Sequence, residues 1–425
     1  MMKTRTTYVV GGVRIPFMKS MTAYRDVTTP ELMTASLKSL VERYNLKGKV
    51  VGDVALGALM QSSANWNFAR EVVQASGLHP NTPAYNVQRA CGTSLETTIQ
   101  IAHKISSYQI ESGIAGGVDS NSDLPIMVSR SFSQKLVALN SARTLGEKLK
   151  IFLSFRPSDL KPVPPAVVEP RTGKSMGEHC ELMVKEWKIS RQEQDELALA
   201  SHLNAAKAYK DGFYADLVFP FLGKSTDGIM RGDTTLEKLA KLKPAFDRSE
   251  KGTLTAGNSS SLTDGSSTVL LASEEEAKKN NWPLLAKIVD SHTSAVDYVG
   301  GEGLLMAPTV AVSELLKRNN LKLQDFDFYE IHEAFAGQVL CTMKAWESPE
   351  YCKTRLGRTE PLGKIDRSKL NVRGSSIALG HPFAATGAKI VGVLAKILHS
   401  AGPGKRGLIV VCTAGGMGVA SILES

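Results

Sequence analysis

Cys91 stands between an apparent strand and an apparent helix, in the stretch NVQRACGTSLETTIQ that begins at Asn86. Gly92 follows it, and the pattern predicts a helix that starts near Thr93. A helix N-terminus favours a thiolate by about 0.3–1 kcal/mol, and by ~2 kcal/mol when the site is partly buried. Because a free thiol has a pKa of about 8.5, a basic neighbour is also needed to make a nucleophile. Without one, Cys91 would be a small buried apolar residue.

Two further places offer such chemistry. His381 lies in the glycine-rich turn ALGHPFAATGA ahead of a predicted helix, where an imidazole can face a cavity and accept a thiol proton. The competing interpretation is a histidine that hydrogen-bonds only its own loop. Cys412 ends a predicted buried strand in VVCTAGGMG. The glycines after it let backbone N–H groups approach a ligand and form an oxyanion hole, although an inert core cysteine is the commoner outcome.

The fourth place is EIHEAFAGQ, which contains His332 and Glu333. His332 could donate a hydrogen bond to a carbonyl oxygen. A metal site is the competing hypothesis, but no second ligand stands four residues on, so we expect no metal. The remaining histidines are interpreted as structural: His79, His103, His179, His202, His292 and His399.

The elements that must position these residues alternate between apolar strands and helical patterns, which predicts an α/β architecture. A strand, a glycine turn, a helix and a second strand follow one another around Cys91, and the same order recurs around His381 and Cys412. Asn86-Val87 and Ala115-Gly116-Gly117 in the first copy are echoed by Asn371-Val372 and Ala414-Gly415-Gly416 in the second. This echo predicts an internal duplication.

A region of different character separates the two copies. Residues 121–250 contain a basic stretch, the prolines of RPSDLKPVPP, and a predicted helix capped by Ser190 with Glu193 three residues on. We therefore expect a first half at 1–120 plus 251–283, an inserted loop domain at 121–250, and a second half at 284–425.

Composition describes an ordinary globular protein of two or three domains, with 425 residues, 42% hydrophobic and 22% charged. Five scattered cysteines without a C-x-x-C pair argue against a disulfide framework or structural zinc and favour a reducing cytosol. We expect no apolar run that approaches the roughly 18 residues of a membrane span, and glycines and Arg14 interrupt the N-terminal apolar patch. The expectation is a soluble, cytoplasmic protein.

The net charge of +9 raises the question of nucleic acid, but the chain carries no zinc-finger spacing, RNA-binding signature or dense basic tail. Phosphates on a small ligand explain a basic surface more simply. Residues 130–161 carry seven Lys/Arg against two acidic residues, a local charge of +5. A solvated helical surface is the simplest interpretation of that stretch.

Taken together, five motifs in this order resemble those of thiolases: CGTSLETTIQIA, TAGNSSSLTDGSS, HEAFAGQ, NVRGSSIALGHPFAATGAKI and CTAGGMGVA. The resemblance runs from VVGGVRIPF to the end of the chain. It implies a duplicated thiolase fold in αβαβα layers with an inserted, mostly helical loop domain. It also implies coenzyme A thioesters as substrates, with coenzyme A used as a substrate and no resident cofactor.

HEAFAGQ, where many thiolases have Asn-Glu-Ala-Phe, and the long basic insertion look like the thiolase subunit of fatty-acid β-oxidation complexes. That branch implies a 3-ketoacyl-CoA thiolase that works as a homodimer or higher oligomer. It also suggests a complex with a hydratase/dehydrogenase subunit, or a peripheral membrane contact, through residues 130–161. Acyl-chain length and the physiological direction are left open.

The resemblance assigns Cys91 as the nucleophile that attacks the 3-keto carbon and His381 as the acceptor of its proton. His332 would hydrogen-bond the thioester oxygen and Cys412 would supply a proton to the departing enolate. The backbone N–H groups of Cys91 and Ala414 would hold the oxyanion formed when coenzyme A attacks the acyl-cysteine.

Supporting roles follow from the same motifs. Glu333 would orient the site through hydrogen bonds, and Met176 matches a family position near the acyl end. Arg231 and Ser260 match positions near the nucleotide and pantetheine of coenzyme A.

Three other functions were weighed against this one. An acetoacetyl-CoA thiolase acting in the condensation direction would use the same residues. A ketoacyl synthase would use one cysteine and two histidines, but it has no need of Cys412 to move an α-proton. A silent CoA- or lipid-binding protein would be under no chemical demand to keep the Cys–His–His–Cys set.

Overall fold

Ten strands form one mixed sheet in the computed structural model, which describes residues 4–425. Short apolar runs rich in valine, isoleucine and leucine make up most of them, as buried strands require. The strands are β1 (Thr7–Arg14), β2 (Met18–Lys19), β3 (Asp53–Leu56), β4 (Ala84–Asn86), β5 (Ser112–Asp119), β6 (Thr263–Ser273), β7 (Ala286–Ala295), β8 (Phe328–Ile331), β9 (Arg406–Thr413) and β10 (Met417–Glu424).

The sheet repeats one pattern on the two sides of the antiparallel pair β1–β7. Its order is β4-β3-β5-β6-β1-β7-β10-β9-β8, with β2 paired to β6. On one side β3–β5 is parallel while β5–β6 and β6–β1 are antiparallel. On the other side β8–β9 is parallel while β9–β10 and β10–β7 are antiparallel. The predicted internal duplication is thus present in the strand topology.

The two Ala-Gly-Gly tripeptides do not occupy equivalent places, so that detail of the predicted echo was wrong. Ala115–Gly117 lies inside β5, whereas Ala414–Gly416 forms the turn between β9 and β10. Gly415 and Gly416 are needed for their left-handed φ of 76° and 71°. Gly117 is needed for space, because a Cβ there would lie 2.1 Å from the carbonyl oxygen of Ala384.

Fourteen α-helices surround the strands within residues 4–425. Several begin with a Ser or Thr cap and a Glu three residues on, including the predicted cap of Ser190 and Glu193, which is confirmed. The helices are α1 (Thr29–Arg43), α2 (Phe68–Ala75), α3 (Thr93–Ser106), α4 (Arg130–Ser141), α5 (Leu145–Leu153), α6 (Met176–Glu186), α7 (Arg191–Lys210), α8 (Leu236–Ala240), α9 (Glu274–Lys279), α10 (Ala307–Asn319), α11 (Ala336–Glu347), α12 (Pro349–Thr354), α13 (Ser376–Leu379) and α14 (Thr386–Ala401).

The helices and the sheet stack in five layers, as the resemblance implied. Alternate residues of β3 and β6 face different cores: Val54 and Leu270 pack with α1 and α2, whereas Ala55 and Val269 pack with α3 and α14. On the other half, α10 and α11 cover the outer face of β9 and β10. Helices α3 and α14 therefore form the central layer between the two halves of the sheet.

Helix α14 also corrects an expectation drawn from composition. The segment Phe383–Ala401 is 19 residues long and apolar enough to cross a membrane by length and composition. Most of it is buried inside the molecule, where it contacts α3 and strands of both halves. A helix in the centre of a protein can be this apolar because most of its surface is covered by protein, so we interpret α14 as a core helix.

Helices α4 to α8 lie within the region predicted as an insertion. Strand β6, from the segment 251–283, runs between β5 and β1 of the segment 1–120. Helix α7 packs against α13 and α11 of the second half, whereas α4 and α5 contain no buried residue. The exact domain boundaries stay a prediction.

Candidate active site

Cys91 and His381 form the centre of the site. The sulfur Sγ of Cys91 lies 3.3 Å from Nε2 of His381, and the two residues are only 7% and 4% exposed. Cys91 belongs to a single 3-10 turn directly ahead of α3, where the predicted helix start at Thr93 is confirmed. Ala90 precedes it with a left-handed φ of 43°, which is rare for a residue with a Cβ. This strained backbone projects the thiol from the end of the central helix.

The resting Cys91–His381 pair is neutral. Burial raises the pKa of the Cys91 thiol to about 12, and the carboxylate of Asp119 adds to this rise. Burial also lowers the pKa of His381 to about 3, with a smaller contribution from the ammonium of Lys389. The thiol therefore keeps its proton at rest, and Nε2 of His381 is the nearest basic group that could accept it.

A hydroxyl fixes the orientation of His381. Its Nδ1 lies 2.6 Å from Oγ1 of Thr386, the first residue of α14. Since Nε2 must be free to accept the thiol proton, Nδ1 carries the ring hydrogen and donates it to Thr386. Asp119 steadies the same turn from the other side, because its carboxylate accepts the backbone N–H of Ala384 at 2.7 Å and that of Leu59 at 2.9 Å.

His332 lies beside His381, with the two imidazole rings tilted by 49° to each other. It follows β8, its ring centroid lies 4.1 Å from that of His381, and it is fully buried. Its Nδ1 lies 2.7 Å from Oγ of Ser376, the first residue of α13. Its Nε2 has no hydrogen-bond partner among residues 4–425. That nitrogen is therefore available to a ligand in the site.

Glu333 lies behind this pair rather than beside the thiol. Its carboxylate accepts hydrogen bonds from Oγ of Ser201 and Nδ2 of Asn371, both at 2.7 Å. It also accepts the backbone N–H of Ile377 at 3.2 Å. Glu333 thus ties α7 and α13 to the segment that carries His332.

Cys412 and the turn after it close the site on the opposite side. Cys412, near the end of β9, is buried, and both burial and the neighbouring Cys91 raise the pKa of its thiol well above the ordinary value. The backbone N–H groups of Ala414 and Cys91 are close enough to the Cys91 sulfur to offset part of the rise in its pKa. Two N–H groups near the sulfur are the kind of donors from which an oxyanion hole is built.

Glu169, from the loop before α6, supports that turn. Its carboxylate accepts the backbone N–H of Gly415 at 3.0 Å and the hydroxyl of Tyr298 at 3.3 Å. The inserted region therefore contacts the backbone segment that bears the Ala414 donor.

The three residues predicted to bind coenzyme A or the acyl chain lie in different parts of the structure. The backbone N–H of Ser260 donates to the carbonyl oxygen of Ala334 at 2.9 Å, next to the segment that carries His332. Met176 begins α6 and is partly buried against the core of the second half. Arg231 is exposed, and its backbone N–H donates to Nδ1 of His202 at 3.3 Å. Only Ser260 is thus brought next to the catalytic segments.

The sequence analysis missed four supporting residues: Ser376, Thr386, Asp119 and Glu169. Thr386 had a signal, because it lies five residues after His381 and opens a helix. Ser376 and Glu169 had none, since they lie 44 and 246 residues from His332 and Gly415, the residues that they contact.

Comparison with known proteins identifies the arrangement. Residues 7–275 match the family model of the thiolase N-terminal domain, and residues 282–425 match that of the thiolase C-terminal domain. A 3-ketoacyl-CoA thiolase of Shewanella sp. (strain W3-18-1) is 42% identical over 424 residues, which cover 98% of this chain and 96% of that protein.

Two solved structures are similar over the whole chain. The acetyl-CoA acetyltransferase of Bacillus anthracis superposes with a TM-score of 0.82 at 31% identity, covering 100% of both chains. The human mitochondrial 3-ketoacyl-CoA thiolase in complex with CoA superposes with a TM-score of 0.81 at 29% identity, covering 99% of this chain and 98% of that one. With both domain models matched and a full-length relative at 42% identity, the chain belongs to the thiolase family of acyltransferases.

Proposed function

We propose that the protein is a 3-ketoacyl-CoA thiolase, an acetyl-CoA C-acyltransferase of fatty-acid β-oxidation. It would cleave 3-ketoacyl-CoA with coenzyme A into acetyl-CoA and an acyl-CoA shortened by two carbons. The observation that carries the proposal is the approach of Cys91 Sγ to His381 Nε2 at 3.3 Å, with the His332 ring centroid 4.1 Å from that of His381.

In the first half-reaction, Cys91 Sγ attacks the 3-keto carbon while its proton moves to Nε2 of His381. The bond between C2 and C3 then breaks, and its electron pair becomes the enolate of acetyl-CoA. When Ser376 donates its hydroxyl hydrogen to Nδ1 of His332, Nε2 of His332 carries a hydrogen that it can donate to the enolate oxygen. The thiol of Cys412 protonates C2, which releases acetyl-CoA and leaves the acyl group on Cys91.

In the second half-reaction, coenzyme A gives its thiol proton to the Cys412 thiolate and attacks the acyl carbon. The oxyanion lies between the N–H groups of Cys91 and Ala414, and loss of one such donor typically lowers a rate by about 10²–10³. As the tetrahedral intermediate collapses, His381 returns its proton to the departing sulfur of Cys91. Every group is thereby restored to its starting state.

Cys412 supports this reaction over that of a ketoacyl synthase. A condensing enzyme that makes its carbanion by loss of CO₂ has no α-proton to move, so a second buried thiol next to Cys91 would have no task. Thiolysis is reversible, so the same residues also serve condensation of two acetyl-CoA molecules. The relative rates of cleavage of short-chain and long-chain 3-ketoacyl-CoAs distinguish a thiolase of β-oxidation from an acetoacetyl-CoA thiolase.

The experiment is CoA-dependent cleavage of 3-ketoacyl-CoAs of graded chain length. The reaction is monitored by the decrease in absorbance of the 3-ketoacyl group. We expect cleavage by the unaltered protein, none by Cys91→Ala, and a large loss by Cys412→Ala. Cys341→Ala is the matched control, since Cys341 is equally buried but lies on α11. Failure of the unaltered protein to cleave any substrate, or full activity of Cys91→Ala, would contradict the proposal.

A second proposal concerns α4 and α5, which we expect to contact an anionic membrane surface. The stretch 130–161 has a charge of +5, and neither helix contains a buried residue. Basic residues interleaved with exposed apolar side chains are typical of segments that lie in a lipid interface. The exposed large apolar residues between positions 124 and 168 are Leu124, Ile126, Met127, Val128, Leu136, Val137, Leu145, Leu149, Phe152, Leu153, Leu160, Val163, Val167 and Val168.

Flotation with anionic vesicles tests this contact. Exchange of the exposed Arg143, Lys148 and Lys150 for glutamine should weaken vesicle binding while thiolysis persists. A control exchanges three exposed lysines elsewhere in the insertion for glutamine: Lys210, Lys224 and Lys241. Equal binding by both triple variants contradicts the proposal. Binding only to a hydratase/dehydrogenase subunit in a pull-down would instead assign the surface to a protein partner.

A further inference from the structure

The catalytic centre also has the donor set of a transition-metal site. One ligand atom each from Cys91, His332 and His381 lies within 4.8 Å of the other two. The sequence analysis expected no metal because His332 has no second ligand four residues on. A spacing of four residues detects only ligands that share one helix. Here the fold brings together three donors from positions 91, 332 and 381.

The distances suit a tetrahedral ion after a small adjustment. Zinc bonds to sulfur at about 2.3 Å and to nitrogen at about 2.0–2.1 Å, so tetrahedral ligand atoms lie roughly 3.3–3.6 Å apart. Cys91 Sγ and His381 Nε2 are 3.3 Å apart, which is within about 0.3 Å of the roughly 3.5–3.6 Å between a sulfur and a nitrogen on tetrahedral zinc. The ligand atom of His332 lies within 4.8 Å of both, and Nε2 of His332 is a fully buried nitrogen without a partner among residues 4–425.

The outer contacts of both histidines match those of metal ligands. A metal-bound imidazole usually donates its other ring N–H to an oxygen, which fixes the ring and its tautomer. Thr386 occupies that place for His381 at 2.6 Å, and Ser376 occupies it for His332 at 2.7 Å. A rotation of the Ser376 hydroxyl turns it from donor to acceptor, as ligation by His332 Nε2 requires.

We propose that Cys91, His332 and His381 form a reversible binding site for a soft divalent cation of the Zn²⁺ type, which inhibits the enzyme. The ion takes three protein ligands, and the fourth position is open to water. Binding releases one proton, from the Cys91 thiol to solvent, and forms one sulfur–metal bond without any change of oxidation state. The nucleophile and its base are then both engaged, so thiolysis stops.

Charges around the site restrict which ions fit. The carboxylates of Asp119 and Glu169 act on the Cys91 side and favour a cation, whereas the buried ammonium of Lys389 acts on both histidines and opposes it. The carboxylates of Glu330 and Glu333 in turn face Lys389. The hard ions Mg²⁺ and Ca²⁺ prefer oxygen ligands and are excluded by the sulfur and nitrogen donors.

Inhibition by the ion rests on the proposed thiolase activity, whereas binding of the ion does not depend on that activity. The main quantity to measure is therefore the binding of the ion. Chelator-treated protein is dialysed against Zn²⁺, and Co²⁺ is used separately to look for a sulfur-to-cobalt charge-transfer band. We expect one ion per chain, protection of Cys91 from iodoacetamide as seen by peptide mass, and no effect of Mg²⁺. Micromolar Zn²⁺ should inhibit thiolysis, and a chelator should reverse this.

Variants locate the ion. Cys91→Ser should abolish the charge-transfer band, and His332→Asn should weaken zinc binding at least tenfold. Ser376→Ala should weaken it about 10–100-fold, the usual effect of losing an outer partner. His202→Asn, which removes a buried histidine elsewhere, should bind zinc as the unaltered protein does.

The two proposals fail separately. An active enzyme that binds no stoichiometric Zn²⁺, or whose Cys91 reacts with iodoacetamide equally with and without Zn²⁺, overturns the metal site. This measurement on the unaltered protein holds even if a variant does not fold. A protein that binds one Zn²⁺ at Cys91 but cleaves no 3-ketoacyl-CoA would retain the site and refute the proposed function.

Discussion

The sulfur of Cys91 lies 3.3 Å from Nε2 of His381, although 290 residues separate them in the chain. Helices α3 and α14 make this approach possible by packing against each other in the central layer. A Cβ on Gly387 would lie 2.2 Å from the backbone nitrogen of Leu95, so only glycine allows the two helix starts to come this close. Cys91 comes from one half of the duplicated fold and His381 from the other.

His381→Asn should lower kcat/KM for thiolysis by about 10²–10⁴, the usual contribution of a general base. The asparagine keeps a polar group in the turn but cannot accept the thiol proton of Cys91. Steady-state kinetics with one 3-ketoacyl-CoA measure the effect, and His202→Asn serves as control for a buried histidine outside the site. A loss of less than tenfold would mean that His381 is not the proton acceptor.

Ser376→Ala should lower kcat about tenfold or more, with little change in KM. The hydroxyl orients His332 through the 2.7 Å contact with Nδ1 and does not itself touch the substrate. A double-mutant cycle separates positioning from general damage. In a His332→Ala background the serine exchange should have no further effect on kcat, and Ser376→Thr should restore part of the lost rate. Additive losses in the cycle would exclude the positioning role.

The Cys91 thiol should remain protonated across the neutral pH range. Burial raises its pKa to about 12 and lowers the pKa of His381 to about 3, so both shifts oppose transfer of the thiol proton to the imidazole at rest. The difference in thiolate absorbance between the unaltered protein and Cys91→Ser should therefore be absent from pH 5 to pH 9 and grow only at higher pH. A thiolate signal with a plateau near pH 7 would instead indicate a resting thiolate–imidazolium pair.

Gly117→Ala should destabilise the protein by about 1–3 kcal/mol, the usual effect of overpacking a core. The new Cβ would lie 2.1 Å from the carbonyl oxygen of Ala384, in the turn that follows His381. Gly146→Ala is the matched control, since a Cβ in α5 meets no atom within 4 Å and alanine favours a helix. Urea unfolding midpoints compare the two, and an unchanged midpoint for Gly117→Ala would contradict the close packing.

Local pattern was sufficient to predict the helix start at Thr93, the cap at Ser190 and the duplicated order of elements. These depend on residues a few positions apart, where spacing carries the signal. The same reasoning equated two Ala-Gly-Gly tripeptides that have different tasks. Gly117 provides space for a neighbouring backbone, whereas Gly415 provides a left-handed turn, and the letters alone do not separate these two uses of glycine.

The supporting contacts of the site were beyond sequence reasoning for a different reason. Ser376 is an unremarkable serine until β8 and α13 bring it to His332, and Glu169 lies in an irregular loop far from Gly415. The metal donor set was missed because the search for ligands was confined to helical spacing. In each case tertiary folding brings together residues whose separation in the chain carries no signal.

The most direct test of the central claim is mass spectrometry of the protein mixed with a 3-ketoacyl-CoA in the absence of free coenzyme A. Transfer of the acyl group should add the mass of the shortened acyl chain to one peptide, at Cys91, with release of one acetyl-CoA per chain. Addition of coenzyme A should remove the added mass and yield the shortened acyl-CoA, and Cys91→Ala should never acquire it. Release of acetyl-CoA without an adduct, or an acyl group attached at a residue other than Cys91, would contradict the proposed mechanism.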